Sequence, residues 1–228
     1  MTEQLGEIQK PSVEEFKEER KVFFVPLVLA PRELEADLRE LIERYWEQVR
    51  SQVDSLEVKL GQVVRVYHEL IPAGGEDAAK AIEELSAESY QVVKSRVDRG
   101  AEIHPMEDSD LLTELMDWTR CLAIGLQNER VFNTVYESFV QIQGKRNEYI
   151  GKQIDETLKG GETAILMMRE GHQVQFPADI KVFYIAPPAL DEMKRWLRER
   201  ETAAQRDEMR KPEGQNGVEG EVEGEAES

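Results

Sequence analysis

The stretch TAILMMREGHQVQFPADIKVFYIA, residues 163–186, decides the predicted fold. It holds two short β-like runs, 163–168 and 179–186, separated by a segment that contains glycine and proline. The connecting residues 169–178 are too few for the crossover helix that usually joins parallel strands. The sequence therefore predicts that the two runs pair as antiparallel strands.

Two earlier runs also have the character of strands. Residues 21–30 are apolar and rich in β-branched and aromatic side chains, and Pro31 ends them. Residues 63–71 alternate between two faces, although continuation of a preceding helix would also fit them. Between these runs apolar residues recur at spacings of three, four and one, which predicts a long amphipathic helix. Further helices are predicted over residues 76–98 (two short ones), 111–126, 128–158 and 188–200.

Together these elements predict an α+β fold: a small, mostly antiparallel sheet of about four strands, with long helices covering at least one face. We expect a polar N-terminal segment over residues 1–20, a single globular domain over 21–202 and a disordered Glu/Gly-rich tail over 203–228. The helix over 111–126 is apolar nearly all round, which predicts a central buried position.

Composition excludes several classes of protein. The chain has 228 residues, a formal net charge of −18 and one cysteine. A disulfide-stapled domain, a zinc ribbon or an iron–sulfur protein would need more thiols. The longest apolar run, residues 22–30, is far shorter than the roughly 20 residues of a membrane span, and the acidic residues before it do not suit a signal peptide. We therefore expect a cytoplasmic protein without membrane contact.

The loop after residue 168 is the candidate catalytic site. Arg169, Glu170 and His172 lie on a turn made tight by glycine, and all three can exchange protons or bind an anion. If they converge with His104, metal-assisted hydrolysis becomes a candidate activity. The alternative interpretation is the ordinary polar end of a hairpin.

A second loop offers candidate metal ligands. His104, Glu107 and Asp108 bring an imidazole and carboxylates close together, a set that can bind a divalent ion. The alternative is that Asp108 and its neighbours cap the next helix. His68 shares a strand face with apolar residues and is predicted to be a core histidine. No cofactor is expected.

Trp196 with Arg195 and Arg198 is the candidate interaction surface. A tryptophan among arginines can be an interface hot spot or a base-stacking platform, or it can simply cover the sheet. Long amphipathic helices and an acidic tail, without a catalytic signature, favour a protein-interaction or regulatory module with a protein partner over an enzyme. An enzyme using the loop 169–172 and an RNA- or ribosome-associated factor are the alternatives. The acidic charge disfavours nucleic acid, and self-association stays open.

Overall fold

The computed structural model describes residues 16, 18–30 and 34–210. Along them the elements are β1 (Arg20–Pro26), α1 (Ala36–Leu60), β2 (Val63–His68), α2 (Gly75–Leu85), α3 (Ala87–Val97), β3 (Glu102–Ile103), α4 (Ser109–Ala123), α5 (Glu129–Thr157), β4 (Thr163–Met168), β5 (Ile180–Tyr184) and α6 (Pro188–Arg210). The sequence located the four longer strands, but not the two-residue β3.

The strands form one sheet in the order β3-β2-β4-β1-β5, and each described pair is parallel. Strand β1 lies between β4 and β5, so that Phe23 pairs with Ile165 on one side and with Phe183 on the other. The predicted four-stranded, mostly antiparallel sheet is therefore wrong. In particular, β4 and β5 are not neighbours.

An extended crossover explains the wrong pairing. The segment between β4 and β5 passes over one face of the sheet without a helix, and its buried Val174 packs into the core on that face. An extended chain spans roughly 3.3 Å per residue, which is enough here to return along one strand and pass over β1. The segment also contacts α5, where a Cβ added to Gly151 would lie 2.8 Å from the carbonyl oxygen of Gln175.

Helices cover both faces of the sheet, and alternating strand residues fill the two cores. Phe23 and Val25 join the core under α1, α3 and α6, whereas Val22 and Phe24 join the core under α5. The two cores explain why β4 is buried at every residue. Such continuous burial is typical of strands that are covered on both faces.

The α4–α5 hairpin projects from the carboxyl edge of the sheet. In α5 the residues after Arg146 join the core, and Arg146 itself already binds Glu69 at this edge, so the first half of α5 lies beyond the sheet. Helix α4 packs mainly on α5. Its Met116 is 44% exposed, and Ile124, which follows its last residue, is 74% exposed. The predicted central, buried position of residues 111–126 is thus wrong.

On the face of the sheet that α5 does not cover, α1 and α6 pack antiparallel to each other. The Gln48 side chain of α1 accepts a hydrogen bond from the amide of Ala189 at 3.0 Å, and Arg200 binds Glu35 just before α1. Helix α6 continues to Arg210, past residue 202, where we expected the domain to end. Residues 1–15 and 211–228, which include most of the predicted terminal segments, lie outside the described residues. Among the described helices, none is long and apolar enough to cross a membrane.

Candidate ligand-binding cleft

A cleft of about 290 Å³ opens at the carboxyl ends of β2 and β4. Its floor consists of Glu69, which follows β2, and of residues 168–172, which are the last residue of β4 and the loop after it. Helices α4 and α5 form its wall. Parallel sheets characteristically bind ligands outside the carboxyl ends of their strands, where the connecting loops meet. The wall residues are Leu115, Thr119, Phe139, Gln143, Arg146 and Asn147.

A buried ionic cluster supports the floor. Arg146 donates from Nε to Glu107 Oε2 at 2.8 Å and from Nη2 to Glu69 Oε1 at 3.1 Å, and a second bond from Nη2 reaches Glu107. All three side chains are at most 5% exposed. Glu107 also accepts a hydrogen bond from the amide of Leu70 at 3.0 Å, which ties the two loops together.

Arg169 completes the cluster at the surface. Its Nη2 donates to Glu69 Oε1 at 2.9 Å, and its backbone amide donates to Glu69 Oε2 at 2.7 Å. Burial would raise the pKa of Glu69, but the hydrogen bonds from Arg169 and the charge of Arg146 hold this pKa below its ordinary value. Two carboxylates face two guanidinium groups, so the floor is close to electrically neutral.

His172 is half-buried and acts as a hydrogen-bond acceptor within the loop. Its Nδ1 accepts from the amide of Val174 at 3.3 Å, and its ring lies 4.9 Å from that of Phe24. Burial lowers the pKa of His172. In the neutral ring, the hydrogen bond from the amide of Val174 places the proton on Nε2, and Nε2–H is left to donate to a ligand. In this tautomer neither ring nitrogen is free to act as a general base.

Glu170 is held on the other side of the loop. Its carboxylate accepts from Lys194 Nζ at 2.7 Å and from the hydroxyl of Tyr184. Burial would raise the pKa of Glu170, but these two donors hold it below its ordinary value. The structure thus brings Arg169, Glu170 and His172 to one cleft, and each of them is engaged by a neighbour.

The sequence did not point to Asn147 and Gln143, which lie one turn apart on α5 and both line the cleft. Asn147 is only 7% exposed as a whole residue. Neither carboxamide makes a hydrogen bond within the described residues, and neither is among their fully buried unpaired groups, so both are accessible from the cleft. A signal was present: positions 132, 136, 140, 143, 147, 150 and 154 form one helical stripe, and only 143 and 147 carry carboxamides. Polar residues within an apolar helical stripe indicate that the helix passes a polar site at those positions.

The candidate metal ligands diverge. His104 contacts Arg65 and lies 3.2 Å from Glu102, whereas Glu107 turns to Arg146 in the ionic cluster. Asp108 accepts hydrogen bonds from the amides of residues 110 and 111, at 3.0 and 2.9 Å, at the start of α4. Over residues 18–30 and 34–210, no three His, Cys, Asp or Glu side chains are grouped to hold a metal ion. His104 does not line the cleft.

The candidate interaction residues lie on α6. Trp196 is partly buried against the core beneath α1, and the guanidinium of Arg200 sits 4.8 Å from its ring centre. Arg195 and Arg198 are exposed and share a shallow surface depression with Arg206. None of these residues lines the cleft.

Comparison with known proteins finds no match: no protein-family model, no curated protein and no solved structure resembles this chain. Its function is therefore inferred from the residues of the cleft.

Proposed function

We propose that this protein is an interaction module that binds an extended segment of a partner polypeptide in the carboxyl-edge cleft. The single observation that carries this proposal is the side chain of Asn147. It lines the cleft, makes no hydrogen bond within the described residues and is not among their fully buried unpaired groups, so its carboxamide is open to a ligand. A carboxamide offers both a donor and an acceptor, which are the two groups that a peptide bond complements.

Energetics support a bound peptide group at Asn147. A ligand that fills the cleft without pairing with the carboxamide would bury it unpaired, which costs about 1–3 kcal/mol. A peptide N–H or C=O that enters the cleft would pair with the carboxamide and avoid this cost. Gln143, one turn away, can pair in the same manner with a peptide unit two residues along the segment, since one helical turn and two strand residues span similar distances.

The electrostatics of the floor favour an uncharged ligand. Arg146 and Arg169 are balanced by Glu69 and Glu107, all within one hydrogen-bonded cluster. A ligand rich in phosphate would need an excess of cations to neutralise it. This balance supports a polypeptide over a nucleic acid.

The hydrogen bonds of the loop support binding over hydrolysis. His172 accepts from the amide of Val174, Glu170 accepts from Lys194, and Glu69 is held by two arginines. A general base needs a free lone pair within reach of the proton that it removes. The cleft instead presents donors and acceptors that are suited to recognition.

Selection from a random peptide display library tests this function. We expect wild-type protein to enrich peptides, and Asn147→Leu to abolish this enrichment. Because the carboxamide of Asn147 is neither hydrogen-bonded within the described residues nor among their fully buried unpaired groups, its removal should change the free energy of unfolding little. Asn133→Leu is the matched control, since Asn133 is an exposed asparagine of the same helix and does not line the cleft. Equal enrichment by the wild type and Asn147→Leu would contradict the proposal.

A further inference from the structure

We infer that the partner segment is an extended strand with apolar residues at alternate positions, lying along an exposed stripe of α5. The stripe consists of Phe132, Tyr136 and Val140, which are 42%, 50% and 48% exposed. This inference rests on the proposed function. It adds the path of the bound peptide along α5, its extended conformation and its sequence pattern.

The stripe is continuous with the cleft. From Val140, steps of three and four residues lead to Gln143 and Asn147, and further steps lead to Ile150 and Ile154 in the core. Residues at these spacings lie on one face of a helix. A single face of α5 therefore begins in solvent as an apolar surface, passes the carboxamides of the cleft and ends in the core.

The exposed part of the stripe is apolar and carries no charged side chain. The rings of Phe132 and Tyr136 stack, with centres 5.9 Å apart and planes at 10°. Charged residues make up 33% of the chain, yet none occupies positions 132, 136, 140, 143 or 147. Such a surface suits apolar side chains above the cleft and neutral peptide groups within it.

An extended partner fits this surface better than a helical one. A helix pairs its own backbone groups and would leave the carboxamides of Gln143 and Asn147 unpaired, whereas an extended segment presents free N–H and C=O groups. The spacing of residues along α5 also agrees with that of an extended segment. Four residues of α5 rise about 6 Å, and two residues of a strand rise about 6.6 Å. Along Phe132, Tyr136 and Val140, which are four residues apart, every second side chain of the segment therefore meets the next apolar residue of the helix.

Two synthetic peptides of identical composition test this inference by fluorescence anisotropy. One alternates Val and Ser, the other groups the same residues in two blocks, and both ends of each are capped and uncharged. We expect the alternating peptide to bind the wild-type protein about tenfold more tightly, a difference that corresponds to about 1.4 kcal/mol. Tyr136→Ser should weaken its binding by a similar factor.

Val131→Ser is the control, because Val131 is similarly exposed at 43% but lies on a different face of α5. It should leave the affinity unchanged. If the wild-type protein binds the two peptides with equal affinity and Asn147→Leu binds neither, the inference about sequence pattern is overturned and the proposed function stands. If neither peptide binds but library selection succeeds, the inference fails alone; if both experiments fail, both proposals are overturned.

Discussion

His68 shows how a single buried side chain couples the stability of the fold to pH. Its side chain is 1% exposed, its Nδ1 lies 2.7 Å from the carbonyl oxygen of Glu69, and its Nε2 lies 3.2 Å from the hydroxyl of Ser89. Burial lowers the pKa of His68 below its ordinary 6.5. The alternating pattern of residues 63–71 predicted a core histidine correctly, although no pattern could show which groups would bind its ring.

The stability that His68 contributes should be lost as the solution becomes acidic. Because its folded-state pKa lies below the unfolded value, the unfolded chain binds the proton first, and the free energy of unfolding falls as the pH drops below about 6.5. Replacement of His68 by Asn should cost about 1–2 kcal/mol at pH 7.5 through lost hydrogen bonds. This deficit should shrink towards pH 5.

Urea denaturation between pH 5 and 7.5 measures this dependence. His104→Gln serves as the control, because it removes a histidine that is bound to other partners, at Arg65 and Glu102. A deficit of His68→Asn that stays constant over this range would contradict the assignment.

At the scale of elements, α5 is the helix whose packing is most informative. Its bounds, Glu129–Thr157, agree closely with the helix predicted over 128–158. Gly144 and Gly151 are seven residues apart and share one face of the helix. The structure gives the two glycines different surroundings: Gly151 meets the crossover segment, and nothing lies within 4 Å of the Cβ position of Gly144.

Alanine at the two glycines should therefore change stability in opposite directions. Gly144→Ala should stabilise the protein by about 0.5–1 kcal/mol, because glycine disfavours a helix interior. Gly151→Ala should destabilise it by about 1–2 kcal/mol, because the added methyl would lie too close to the backbone carbonyl of Gln175. Thermal unfolding of both variants measures the contrast. Stabilisation by both would show that the crossover segment does not pack on α5 as described.

The exposed half of α5 and its partner α4 show that apolar periodicity alone does not predict which helices enter the core. The pattern of residues 111–126 shows which side chains are apolar but not which surface they face. In the structure only Leu112 and Leu115 of α4 are buried, since the helix extends beyond the sheet. Whether an apolar helix enters the core depends on chain connections, which the local sequence does not reveal.

At the scale of the molecule, the ionic cluster links β2, β4, α5 and the loop before α4. Arg146 is its centre, and the carboxylates of Glu69 and Glu107 are at most 2% exposed. Removing one member of a buried ion pair leaves an uncompensated charge, which costs about 3–5 kcal/mol. The cluster should therefore hold the carboxyl edge together.

Arg146→Met should lower the free energy of unfolding by about 3–5 kcal/mol at pH 7. The folded-state pKa of Glu69 lies below its ordinary 4.5, so the stability that Glu69 contributes is complete above this pH and is lost as the pH falls further. The deficit of the variant should shrink in the same acidic range. Urea denaturation at pH 7 and pH 4 measures both effects.

Arg120→Met provides the comparison, since Arg120 pairs with Asp117 at the surface, where both side chains are more than 60% exposed. An exposed pair contributes about 0–1 kcal/mol. If the two variants lose similar stability at pH 7, the cluster does not hold the edge.

The order and direction of the strands could not be predicted from length rules alone. The connection 169–178 is too short for a helix, and antiparallel pairing followed from that rule. The competing signal was composition: the apolar runs of β1 and β4 are nearly continuous, which is typical of parallel strands buried on both faces. Arg169, Glu170 and His172 were selected from local sequence, whereas Glu69, Arg146 and Asn147 meet them only through the parallel topology.

The most direct test of peptide recognition follows the side-chain amide signals of the protein by NMR during titration with the alternating Val/Ser peptide. We predict that the carboxamide resonances of Asn147 and Gln143 shift together and that those of Asn133 stay in place. Unchanged Asn147 and Gln143 signals at a saturating peptide concentration would show that the cleft is not the binding site.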